Sequence, residues 1–137
     1  MKRFLAGIQR SIVDAPGASA QARGGAAEDL AERFLAARGV RALARNVRCR
    51  GGEIDLVALD GDTVVFVEVR LRGNSAFGGP AASIAAHKQR RIILAARWWL
   101  AGAGKGMAHH PCRFDAVLMR ALDVQNIQWL RGAFEAD

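Results

Sequence analysis

Asp55, Glu68 and Arg70 are the residues of this chain whose types and spacing could do chemistry. They lie in two apolar runs, Gly52-Glu53-Ile54-Asp55-Leu56-Val57 and Val64-Val65-Phe66-Val67-Glu68-Val69-Arg70, separated by Asp60-Gly61-Asp62. Such a pair of runs around a glycine turn reads as a β-hairpin. Side chains alternate between faces, so Glu53, Asp55, Val57 and Leu59 share one face of the first run, and Val64, Phe66, Glu68 and Arg70 share one face of the second. A two-residue turn at Gly61-Asp62 pairs Asp60 with Thr63 and sets Asp55 opposite Glu68, with Cβ atoms about 4.5–5.5 Å apart. A turn at Asp60-Gly61 makes them diagonal neighbours at roughly 7–8 Å. In both registers the carboxylates converge. Facing acids repel unless a cation or proton sits between them, and a hard divalent ion such as magnesium suits one or two carboxylates plus phosphate oxygens. The alternative is a solvated face on which both acids answer nearby arginines. Arg70 could hold a phosphate oxygen or stabilise charge developing in a transition state; its alternative is an ion pair with Glu68 or Glu53.

Two further residues point toward the same place. Glu28 falls at the edge of the apolar face of an early helix, next to Ala31 and Leu35, while Asp29 and Glu32 turn further toward solvent. It could be a third carboxylate over the sheet, or a helix-start acid favoured by the macrodipole. Lys88 lies on the apolar side of a later helix, beside Ile92 and Trp99, and needs a partner or a route to water. The carboxylate pair is one such partner; snorkelling past Trp99 is the other. Trp98 and Trp99 on that helix read as core or interface rather than as base-stacking platforms.

The elements that must position these residues follow from periodicity. A helix is expected over 24–38 and strands over 40–49, 53–60 and 63–70. A glycine-rich loop over 74–80 leads to a long helix over 81–101, then a loop containing His109 and His110, a strand over 113–119 and a short last strand near 126–130. The helix between the third and fourth strands implies a crossover to a parallel neighbour, hence an α/β fold with a mixed sheet flanked by helices. The glycine loop lacks the lysine-serine/threonine ending of a phosphate-binding P-loop.

With 137 residues the chain is sized for one domain, and 51% hydrophobic against 24% charged residues argues for a real core. Residues 1–23 read as a basic flexible N-terminal tail, with a basic targeting peptide as the alternative. Twenty lysines and arginines against 13 acids give a net charge of +7, which points to a polyanionic partner or simply a basic surface. No apolar run spans a membrane. Two cysteines, Cys49 and Cys112, fit reduced cytoplasmic thiols better than a disulfide framework.

Taken together, Gly52-Glu53-Ile54-Asp55-Leu56-Val57 and Phe66-Val67-Glu68-Val69-Arg70 resemble the YraN family of uncharacterised bacterial proteins. Ala27-Glu28, Arg45-Asn46, Phe77-Gly78, Lys88, Arg113-Phe114-Asp115 and Ala133-Phe134 extend the resemblance over residues 24–134. That family is similar to the PD-(D/E)XK nuclease superfamily, in particular to Holliday junction resolvases. The resemblance implies a restriction-endonuclease-like αβββαβ core. It implies Asp55 and Glu68 as ligands of Mg2+ or Mn2+, with Glu28 and Arg70 also in the catalytic set. Position 70 departs from the usual lysine, and arginine cannot act as a base at working pH. Asp115 matches a strand acid that reads as structural. The function expected is metal-dependent phosphodiester hydrolysis on DNA, branched or junction DNA being the first guess. Arg48, Arg50, Arg70, Arg72 and Lys88 would hold the phosphate backbone. The alternative is the same fold with weakened catalysis, serving as a nucleic-acid or protein binding module. A homodimer is a further expectation, because related resolvases engage two-fold substrates as dimers.

Overall fold

A computed structural model describes residues 20–72 and 84–136 of the chain. Helix α1 covers Ala20–Ala36, and the strands β1 (Val40–Cys49), β2 (Gly52–Asp60) and β3 (Thr63–Leu71) follow in immediate succession. Helix α2 is Ala86–Ala101, and β4 (Cys112–Met119) and β5 (Ile127–Phe134) complete a five-stranded sheet in the order β1-β2-β3-β4-β5. All neighbouring strands are antiparallel except β3 and β4, which run parallel with α2 between them in sequence. This is the mixed sheet flanked by two helices of a restriction-endonuclease-like αβββαβ core.

The alternation of the strands sorts their apolar residues into two cores. Val57, Val64, Phe66, Phe114, Ala116 and Leu118 pack with Ile92, Ala95, Ala96 and Trp99 of α2. Leu56, Ala58, Val65, Val67, Val117 and Met119 pack with Ala27, Ala31, Phe34 and Leu35 of α1. Because β2, β3 and β4 are buried on both faces, they read as nearly continuous apolar runs. An acid inside such a run is therefore conspicuous.

Glycine sets two critical geometries. Gly61 has φ +63° and makes the tight turn that pairs Asp60 with Thr63, the first of the two expected registers. Gly52 lets α2 lie directly on β2: a Cβ there would stand 2.5 Å from the Arg91 carbonyl oxygen.

Several boundaries differ from expectation. Helix α1 starts at Ala20 and stops at Ala36, so residues 20–23 are helical rather than tail; Gly39, with φ +84°, turns the chain into β1. Helix α2 is Ala86–Ala101, preceded by an extended Ala85 (ψ 148°), and the expected start at 81 lies outside the described residues. Strand β5 runs on to Phe134, because Gly132 at φ +62° and the buried Asp115 carry it past an irregularity in its pairing with β4. Tail residues 1–19, the glycine loop over 74–80 and Phe77-Gly78 lie outside the described residues.

Candidate functional site

The β2–β3 ladder pairs residues whose numbers sum to 123, and its last pair is Leu56 with Val67. The next pair in that register would be Asp55 with Glu68. There the strands cease to pair, and Asp55 Oδ2 accepts a hydrogen bond from the Val69 backbone N–H at 2.8 Å. The Asp55 side chain thus supplies an acceptor where the ladder stops, which fixes the carboxylate beside Glu68.

Glu68 is buried. Burial, then the charge of Asp55 and a hydrogen bond between the two carboxyl groups, push its pKa up to about 8, against the opposing pull of Lys88 and Arg70. With no metal ion between the two acids, Glu68 therefore carries a proton at neutral pH. Glu28 reaches the same cluster from α1. Burial raises its pKa first and the nearby Asp55 charge second, while Arg45 and Asn46 pull it down. Glu28 is not free, because Arg45 holds it at 3.3 Å.

Cations close the other side. Lys88 Nζ lies 3.2 Å from Glu53 Oε1 and 3.8 Å from Glu68 Oε2, so its partner is the acid cluster rather than bulk water. An Arg70 guanidinium nitrogen lies 3.9 Å from Glu68 Oε2. Burial raises the pKa of Glu53, but Lys88, Arg91 and Arg48 outweigh it and hold the group below its ordinary value. Glu68, Arg70, Arg72, Ala85, His87 and Lys88 line an open cleft of about 490 Å³. Arg48, exposed near the end of β1, lies within 3.9 Å of Glu53, and Arg50 sits on the exposed β1–β2 turn.

The donor set fits a hard divalent ion held by two carboxylates. Among the described residues no three His, Cys, Asp or Glu side chains are grouped to enclose a cation alone. An ion at Asp55 and Glu68 would complete its shell with water or phosphate oxygens, the habit of Mg2+.

Three features were not anticipated. Asp29 is buried at 6% exposure, not turned to solvent, because Arg45 from β1 reaches over α1 and bonds Glu28, Asp29 and Glu32 together. His87 lines the cleft and Arg91 pairs with Glu53 at 3.6 Å. An arginine inside β1, opposite an acid-bearing helix, was the available signal for the first; the spacing of His87 and Arg91 about Lys88 was the signal for the others.

The chain matches the uncharacterised protein family UPF0102 over residues 27–119. It is 51% identical over 110 residues to a UPF0102 protein of Methylobacillus flagellatus, covering 80% of this chain and 94% of that one. It is 51% identical over 122 residues to a UPF0102 protein of Pseudomonas entomophila (88% and 98%), and 50% over 132 residues to one of Cupriavidus taiwanensis (95% of each). The matched span contains Glu28, Asp55, Glu68, Arg70 and Lys88, and the chain belongs to the uncharacterised protein family UPF0102, the YraN-type family.

Proposed function

We propose that this protein is a cytoplasmic, metal-dependent endonuclease that hydrolyses DNA phosphodiesters, branched DNA being its first candidate substrate. The observation that carries the reading is the convergence of Asp55 and Glu68 at the open end of an apolar hairpin, with Lys88 and Arg70 beside Glu68 in one cleft. Asp55 and Glu68 would hold Mg2+ or Mn2+, which supplies charge to polarise the scissile phosphate and lowers the pKa of a water. Lys88 and Arg70, beside Glu68, would bind phosphate oxygens in the cleft. Arg70 keeps its proton and acts by charge. Glu28, held by Arg45, sustains the negative field at Asp55. Arg48, Arg50 and Arg72 track the backbone outside the cleft. No base-reading motif accompanies them, so preference among substrates rests on DNA shape.

A specific observation favours a second reading. Arg70 stands where the resembling superfamily has lysine, which suits a fold kept as a DNA-binding module. Calorimetric titration of Mg2+ into wild type and Asp55→Ala, followed by incubation with linear, flapped and four-way DNA, separates the two. Ion binding and cleavage that both vanish in the variant support the nuclease. Salt-sensitive DNA binding without ion binding or cleavage would replace it with the module.

A further inference from the structure

The adjacent residues Trp98 and Trp99 are treated oppositely by α2. Trp99 is buried, edge-on to Phe66 at 6.2 Å, and roofed by Gly104. Trp98 is 54% exposed. Among the described residues no ring or cation covers its faces and its indole N–H has no acceptor. An indole left bare on a rigid helix is costly to keep in water and is well suited to a flat apolar partner.

Its position relates it to the cleft. At about 100° per residue, His87, Arg91, Leu94 and Trp98 fall in one stripe along the flank of α2. His87 lines the cleft. Arg91 follows, 3.6 Å from Glu53. Leu94, 46% exposed, lies over the β1–β2 turn, its Cδ2 3.3 Å from where a Cβ on Gly51 would be. The stripe spans about 16 Å at ~1.5 Å rise per residue, the length of about five bases at the ~3.4 Å stacking rise.

Charge identifies the occupant. Helix α2 carries Lys88, Arg90, Arg91 and Arg97 and no acid, and the adjoining end of β1 and its turn add Arg48 and Arg50, the former 71% exposed. A second copy docked here about a two-fold axis would set like charges against each other. A polyanion with apolar faces meets both features, because its bases stack on an aromatic ring while its phosphates meet the arginines.

We propose that Trp98, beside Leu94, is a stacking platform for an unpaired base of single-stranded or overhanging DNA, whose phosphates follow Arg50 and Arg91 toward the cleft. This deepens the DNA reading above and rests on it: it names substrates with an unpaired segment, and it gives the helix outside the cleft a role in choosing them.

The test measures binding rather than cleavage. Full-length wild type, Trp98→Ala and Trp98→Phe are titrated in EDTA, by fluorescence anisotropy, against a blunt duplex and the same duplex carrying a short single-stranded overhang. Wild type should prefer the overhang. Trp98→Ala should lose at least about fivefold on the overhang, the lower end for one base–aromatic stack, with blunt-duplex affinity and melting temperature unchanged. Trp98→Phe should recover most of the loss, and the salt slope should be the same in all three, since no charge is removed. Overhang affinity unchanged in Trp98→Ala, with salt-sensitive DNA binding intact, would overturn the platform and leave the DNA reading standing. No DNA binding by wild type would overturn both. A wild-type dimer in sedimentation that Trp98→Ala dissolves would reassign the face to self-association and overturn the nucleic-acid occupant.

Discussion

Asp55 Oδ2 accepts the Val69 N–H at 2.8 Å, two residues beyond Val67, where β3 makes its last pair with β2. The carboxylate therefore has a structural task and an electrostatic cost in the same few ångströms. It closes the splayed end of the ladder, and it raises the pKa of both Glu68 and Glu28.

Substitution can separate the two. Asp55→Asn keeps an oxygen for Val69 and removes the charge beside Glu68. Its melting temperature should equal or exceed wild type, with a gain of up to about 1 kcal/mol of the kind seen when strained functional sites are neutralised. Divalent-ion affinity should fall more than about 100-fold, since even outer-sphere partners cost 10–100-fold. Asp55→Ala loses the hydrogen bond too, and should be less stable than Asp55→Asn by about 1–2 kcal/mol. Thermal melts and calorimetry on the pair check both halves.

The proton on Glu68 makes the fold sensitive to pH. Its folded pKa of about 8 lies above its ordinary value of 4.5. Its contribution to stability is therefore complete below pH 4.5 and is lost as pH rises through about 8. Glu28, also raised, acts with the same sign. Glu53, lowered, acts only as pH falls below its ordinary value, so it does not mask the trend. Metal-free urea unfolding should show stability falling by roughly 1–4 kcal/mol across that window, and Glu68→Gln should flatten the curve. At pH 7, Mg2+ binding should release about one proton per ion, read from calorimetry in buffers of different ionisation enthalpy. A pH-independent wild-type curve with no proton release would contradict this assignment.

Asp115 is the other acid buried in the sheet, and its role differs. Its two oxygens accept from Arg113 at 2.9 and 3.0 Å, from Trp129 Nε1 at 3.0 Å and from the Gly132 N–H at 2.9 Å. Four donors leave no lone pair directed at the cleft. Asp115 instead ties β5 to β4 across their register shift. Asp115→Ala should cost about 3–5 kcal/mol, as for any buried ion pair that loses one partner, while Mg2+ affinity in the folded fraction stays at the wild-type value. A loss of ion affinity without loss of stability would place Asp115 in the site.

Much of this was readable before folding, for definite reasons. Glycine and aspartate at 60–62 restrict the hairpin turn, and a period of two then carries Asp55 to Glu68. Lys88 was half legible, because a lysine on the Ile92–Trp99 face needs a partner or a route to water, and the sheet shows the partner to be Glu53 and Glu68. The Arg45 cluster was not, because a helical wheel assigns Asp29 to solvent and knows nothing of a side chain reaching over from β1. The four donors of Asp115 were hidden for the same reason: Trp129 and Gly132 lie 14 and 17 residues away on another strand. Periodicity reports which face a residue occupies; long-range polar partners need the sheet order.

Position 70 tests the proposed chemistry most directly. Arg70 is largely buried, with its guanidinium 3.9 Å from Glu68, so a lysine would fit the same corridor with volume to spare. The two cations differ in one respect that matters: lysine can shift its pKa and exchange a proton, and arginine cannot. If the proposed endonuclease works with charge alone at this position, its rate is limited by the missing proton path, and Arg70→Lys should raise single-turnover, Mg2+-dependent cleavage by about tenfold or more, within the range of a positioned acid–base group. DNA affinity should stay within about twofold, because the charge is kept. Arg70→Gln should lower both. The rate–pH profile gives the mechanism: Arg70→Lys should gain an ionisation that wild type lacks. Equal rates and superimposable profiles for arginine and lysine would show that position 70 only holds phosphate, and that any proton transfer belongs to another group in the cleft.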